Sequence, residues 1–329
     1  MNQSLVTPEE ASAMILKGER LLLAGDFALL SQLPKGNWIG GTTPFFILYP
    51  EHQVTSYDKL FVTRLPDYVV NSTIQAYDSS NIHRIYMDAE RLGNVFTIII
   101  FPFGSEVSTA FSLNAVYYEN FSGRPMAGWV AGRPLDTIMT EPSYAVSGID
   151  AKPSTDKAFA MHIELPETKY AELHIFNPYI QGKGDDIAFE QSSMVVTEAL
   201  INGKKRNFAE YLRETGFNTQ MPFVANYSGA MINVVCCGIT EKEVYLSAPV
   251  FQSLNYRIAE IDPKLTEPTL TGEKIIFSIT CIGNFIQPDI CAQYLQKMHG
   301  PVVYGEIAYQ MLNQTTVYLT VDDISSEMP

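Results

Sequence analysis

Residues 159–176 set two imidazoles and two carboxylates at strand spacing. Met161, Ile163 and Leu165 alternate with His162 and Glu164, and further on Leu173 and Ile175 alternate with Glu172 and His174. The pattern predicts a hairpin. Pairing residue 162 with 174 sets 164 opposite 172, and directly opposed Cβ atoms lie about 5 Å apart. Nitrogen and oxygen donors gathered in this way suit a divalent metal. The solvent face of an amphipathic hairpin carries the same pattern, because every second strand residue points outward.

Three further segments carry chemistry-bearing groups. Cys281 closes the apolar run Ser278-Ile279-Thr280-Cys281. A cysteine nucleophile needs a base, and no histidine lies close in sequence, so a buried structural thiol is the plainer reading. Gly40-Gly41-Thr42-Thr43 reads as a turn at the end of a strand. Its backbone N–H groups and two hydroxyls could cradle an anion or a carboxylate; close backbone packing would use the same residues. Gly305-Glu306 follows an expected strand, and the carboxylate there could meet a ligand amine or cap a turn. The sequence contains no GxxxxGK[ST], GxGxxG after a strand, HExxH or GxSxG pattern. No cofactor is implied.

Composition narrows the function classes. The chain has 329 residues with 22 basic and 36 acidic side chains, net −14, and both halves are acidic. Nucleic-acid binding needs a concentrated basic face, and the longest basic run is only Lys204-Lys205-Arg206. The four cysteines, Cys236, Cys237, Cys281 and Cys291, match no zinc spacing and are too sparse for a disulfide scaffold. Adjacent Cys236 and Cys237 read as small core hydrophobes on opposite faces of a strand. No leader pattern opens the sequence, and the longest apolar run, Val95 to Phe103, is too short to span a membrane. The expectation is a reduced, soluble, cytoplasmic protein with no nucleic-acid or membrane partner.

The elements that must position these groups are read from capping residues and periodicity. Thr7-Pro8-Glu9-Glu10 starts a helix, Asp26 can cap a second, and Gly104-Ser105-Glu106 begins another. Ser79 or Ser80 could cap a helix running to Leu92. The run Val95–Phe101 has no polar alternation beyond Thr97, which marks a strand covered on both faces. Gly148 to Lys157 is the most linker-like stretch. Met194–Ile201 reads as a strand, Asn202-Gly203 as a turn and Phe208–Leu212 as a helix closed by Gly216. Further strands are expected at 230–237, 244–249, 255–261, 274–281, 301–307 and 315–321, and a helix at 288–298. Strands and helices mix without strict βαβ alternation. The expected fold is therefore α+β: strand-rich mixed sheets covered by a few helices, in two similar-sized halves, 1–157 and 158–329.

Four pieces of the C-terminal part resemble the FIST sensory domain family, in that family's order. Ile201-Asn202-Gly203-Lys204-Lys205 with the following helix resembles its strand–turn–helix, and Val244–Val250 its next strand. Ile276–Gly283 resembles its "vFsC.gR" strand. Tyr304-Gly305-Glu306-Ile307 with Asn313-Gln314-Thr315-Thr316 resembles its closing "yGEi…hNqT". In the N-terminal half, Ile39–Thr43 faintly resembles its "vGcsT" turn. Asn284 stands where the family usually has arginine, and Gln252-Ser253 where it has a glycine turn.

The resemblance implies a sensory module that binds an amino-acid-like or carboxylate ligand without catalysis. Gly41, Thr42 and Thr43 would serve the ligand from one half; Cys281, Asn284, Gly305 and Glu306 would serve it from the other. The signal would pass by contact with a signalling protein partner. Two alternatives stand beside this reading. One is an enzyme using a metal on His162, Glu164, Glu172 and His174, or Cys281 as nucleophile. The other is a structural or homo-oligomeric role.

Overall fold

The computed structural model describes residues 3–48, 52–227, 230–265, 275–287 and 298–324. The protein is α+β: strands dominate, the sheets are mixed and a few short helices cover them. Local chemistry sets the helix starts. Thr7 accepts the N–H of Glu10, and Glu10 accepts the N–H of Thr7, so Pro8–Leu16 opens with reciprocal caps. Asp26 caps Phe27–Leu30, and Ser105 caps Glu106–Asn114. The helix expected from Ser79 or Ser80 begins later, as a 3₁₀ turn at Ile82–Arg84 leading into Ile85–Arg91. There the side chains of Asp78 and Asn81 close a tight turn on Ser80 and Asp78, which delays the helix.

Among the described residues there are three six-stranded sheets, each with one parallel pair among antiparallel neighbours. In the first, Leu21–Gly25 runs parallel to Trp38–Thr42. In the second, Val95–Pro102 runs parallel to Met126–Ala131. In the third, Ile275–Cys281 runs parallel to Gly300–Val303. A seven-stranded and a three-stranded sheet complete the fold.

Val95–Pro102 is buried along its whole length, as its composition predicts. Phe96, Ile98 and Ile100 enter the main core; Ile99 and Phe101 pack beneath the helices. Leu21–Gly25 divides in the same way, with Leu22 and Ala24 in the main core and Leu21 and Leu23 against the N-terminal helices.

Strands from either side of residue 157 share sheets. Glu306–Ala308 pairs with Met126–Ala131, and Gly300–Val303 pairs with Phe45–Leu48. The linker-like stretch at 148–157 is part of a sheet: Lys152–Ser154 folds back on Ala145–Ser147, and the N–H of Gly148 bonds the carbonyl of Trp38.

Other expectations change. The hairpin over 159–176 does not form. Ala158–Glu164 lies between Asn71–Tyr77 and Val95–Pro102, so it has no free edge left for Lys169–Phe176, which pairs with Thr316–Asp323. The strand expected at 194–201 is two, Ser193–Val196 and Glu198–Ile201, in different sheets. The break falls at Thr197, whose carbonyl accepts the N–H of Phe208. Lys204-Lys205-Arg206 lies in an edge strand, with Lys205 ion-paired to Glu190 and Glu198. Cys236 is buried, but Cys237 is exposed and not in the core. The helix expected at 288–298, and Cys291 with it, lies outside the described residues. Among the described residues no helix is long and apolar enough to cross a membrane.

Candidate functional site

The second and third sheets meet where the chain leaves one for the other. Gly300–Val303 belongs to the third sheet, Tyr304-Gly305 crosses, and Glu306–Ala308 joins the second. The single strand expected at 301–307 is thus divided, and the division sets Glu306 at the seam, fully buried. Its partner in register is Trp129, which stacks on Phe277 of the third sheet at 5.9 Å.

Cys281 approaches the same seam from the end of Ile275–Cys281. It sits opposite Val303, and its N–H donates to the carbonyl of Thr315 at 3.1 Å. The single-turn helix Ile282–Phe285 follows and carries Asn284, which is fully buried. Gly283 admits the neighbouring turn: a β-carbon there would lie 2.5 Å from Cγ of Gln314. Gln314 is itself left-handed, at φ +50°. Asn233 holds this turn by donating to the carbonyls of Asn313 and Gln314 at 3.0 and 3.3 Å, and Gln314 Nε2 donates to Gln220 at 2.9 Å.

Thr315 then donates its hydroxyl to Oε2 of Glu306 at 2.9 Å. The thiol of Cys281 lies near enough to act electrostatically on the same carboxyl. Burial pushes Glu306 up to about 8, against the opposing bonds from Thr315 and Cys281. Burial thus favours its protonated form. Burial, with the charge of Glu306 adding to it, pushes the Cys281 thiol well above its ordinary range; the N–H groups of Gln314 and Gly283 act the other way. Glu306 supplies the acid–base neighbour that Cys281 lacks in sequence, yet the thiol is held in its unreactive form.

The cluster is rich in unsatisfied polar atoms. Among the described residues, twelve buried side-chain nitrogen and oxygen atoms have no hydrogen-bond partner. Six of them belong to Trp129, Asn284, Glu306, Asn313 and Gln314: the indole Nε1, both amide atoms of Asn284, Oε1 of Glu306, Nδ2 of Asn313 and Oε1 of Gln314. Buried polar groups are ordinarily paired, so this concentration singles out the seam as the candidate site.

Cys281, Asn284, Gly305 and Glu306 therefore converge. The N-terminal candidates reach the seam differently. Gly41 is inside a buried strand, not a turn, and packs on Trp129. Thr43 donates to the carbonyl of Val302 at 2.6 Å, and Thr42 accepts the N–H of Tyr144 at 3.0 Å. Both hydroxyls are engaged within the chain. Trp129, Asn313, Gln314 and Thr315 were not among the expected site residues. Asn313-Gln314-Thr315 carried the family resemblance, but nothing in its spacing marks it as a binding turn.

The metal constellation is not assembled. His162 is fully buried, with Nδ1 2.8 Å from the hydroxyl of Thr97 and Nε2 3.2 Å from that of Tyr77. The Tyr77 hydroxyl donates to Asp88 at 3.2 Å. Burial lowers the imidazole to about 4. Its strand is interior, and its face is covered by helices, not open to solvent. Glu172 and His174 lie on another sheet, where His174 stacks on Tyr318 and bonds Thr320. Among the described residues no group of three or more His, Cys, Asp or Glu side chains could hold a metal ion.

No curated protein and no solved structure matches the chain. Residues 6–322 match a family of unknown function, DUF6976, and the chain belongs to that family.

Proposed function

We propose that this protein is a cytoplasmic sensory module that binds a small polar ligand at the seam around Cys281, Asn284, Glu306 and Gln314. One observation carries the reading: the unpartnered polar atoms lie on buried side chains of the segments that meet around Cys281, Glu306 and Thr315. Leaving such atoms unpaired costs about 1–3 kcal/mol each, a cost that a ligand of matching donors and acceptors offsets. The resemblance to the FIST sensory family supports the same place, because Gly305-Glu306 and Asn313–Thr316 carry it. No step is assigned to Cys281, whose thiol nothing activates. The signal passes by contact, to a signalling partner or a second copy of the chain. The edge strand Lys169–Phe176, with Tyr170 and Ile175 exposed, offers one such surface.

The test is a thermal-shift screen against amino acids, amides, small carboxylates and metal ions. A ligand at 100 times its dissociation constant stabilises by about 2.7 kcal/mol, a shift of a few degrees for a chain of this size. A hit that Glu306→Ala abolishes while the variant stays folded supports the reading. A hit unaffected by Glu306→Ala and by substitution of Asn284 places binding elsewhere and overturns it.

A further inference from the structure

We propose that the ligand of this site is an uncharged carboxamide or urea-like group, bound by the side-chain amides of Asn284 and Gln314 and by the carboxyl of Glu306. This rests on the ligand-binding reading above and narrows it. The six unpartnered atoms include both kinds: Nε1 of Trp129, Nδ2 of Asn284 and Nδ2 of Asn313 donate, Oδ1 of Asn284 and Oε1 of Gln314 accept, and Oε1 of Glu306 does either according to its proton. Asn284 offers a donor and an acceptor side by side, the complement of a second amide, which bonds it in both directions at once. A carboxylate cannot answer Oδ1, and an ammonium cannot answer Nδ2.

Charge points the same way. Among the described residues no lysine, arginine or histidine forms an ion pair with Glu306, and the groups that act on it are Thr315 and Cys281. An anionic ligand would therefore be buried beside an acid with no counter-charge, the costliest arrangement available. The raised Glu306 carboxyl is consistent with this: protonated, it adds a donor without adding charge.

Amide and acid pairs of one shape separate these possibilities. The purified full chain is titrated with nicotinamide, benzamide and propionamide, and with nicotinate, benzoate and propionate, at millimolar concentration, by ligand-observed NMR and thermal shift. The expected result is binding of at least one amide, with its acid weaker by about tenfold or more. Asn284→Asp should weaken that amide, and Asn284→Leu should abolish it, with circular dichroism unchanged for both; should the leucine variant misfold, Asn284→Ser serves in its place. An acid that binds as tightly as its amide overturns the ligand class and leaves the site standing. Silence from both sets, or amide binding untouched by every Asn284 variant, overturns the class and the site together.

Discussion

A β-carbon on Gly41 would stand 2.7 Å from Nε1 of Trp129 and 2.7 Å from a methyl of Ile100. The missing side chain of one strand is thus the space that seats the indole of another sheet, and that indole lies opposite Glu306. Gly41→Ala should destabilise the protein by about 1–3 kcal/mol through overpacking. Chemical denaturation measures it; a neutral result would mean that the indole has room to move.

Glu306 makes stability fall toward alkaline pH. Its folded value, about 8, exceeds its ordinary 4.5, so its contribution is complete below about 4.5 and is lost as pH rises through about 8. The full loss is roughly 4–5 kcal/mol at about 1.36 kcal/mol per pKa unit. Glu306→Gln has no proton to lose. Urea unfolding at pH 5 and pH 8 should show the variant gaining several kcal/mol on the natural chain between the two; parallel profiles would mean that the carboxyl is ionised without cost.

His162 acts in the opposite direction. Its folded value, about 4, lies below its ordinary 6.5, so its contribution is present above 6.5 and is lost as pH falls through about 4. That loss is about 3 kcal/mol. His162→Gln should flatten the stability profile between pH 6.5 and 4, measured against the natural chain. An imidazole signal titrating near 6.5 in the folded protein would contradict the burial argument.

Asn284→Leu should raise the melting temperature. Replacing buried amide atoms that have no partner with apolar atoms of similar volume removes an unpaid desolvation cost of about 1–3 kcal/mol. Gain of stability with loss of ligand response is the trade expected of a binding residue. A large loss of stability would show that the amide has a structural partner.

Cys281 should resist alkylation in the folded state. Burial pushes both thiols up, that of Cys237 to about 11, but Cys281 is buried whereas Cys237 is exposed to reagent. Iodoacetamide labelling with peptide mapping should find Cys237 modified well before Cys281, with the difference vanishing in denaturant. Rapid native labelling of Cys281 would revive the thiol-enzyme alternative.

Elements governed by local chemistry were legible in the sequence. The caps at Thr7, Asp26 and Ser105 act within one turn, and the apolar run at Val95–Pro102 needed only composition to be read as covered on both faces. Pairing was not legible. His162 and His174 alternate correctly within their own strands, but their strands have partners more than sixty residues away, Asn71–Tyr77 and Thr316–Asp323. The same limit applies at the seam. Glu306 and Cys281 were singled out one at a time, while the turn at Asn313–Thr315 that joins them depends on a left-handed Gln314 and on Asn233, eighty residues distant. Trp129 sits in a glycine-rich stretch whose turn-rich pattern leaves room for one short strand around it, and only the register opposite Glu306 gives it a role.

The sharing of sheets across the chain also bears on how the protein is made. During synthesis the second sheet must wait for Glu306–Ala308 and the third for Thr316–Asp323. Until those strands leave the ribosome, Met126–Ala131 and Ile275–Cys281 each expose an apolar edge that nascent chains can join. Such non-local pairing folds slowly. A chaperone that covers those edges until the later strands emerge should therefore raise the yield of folded protein.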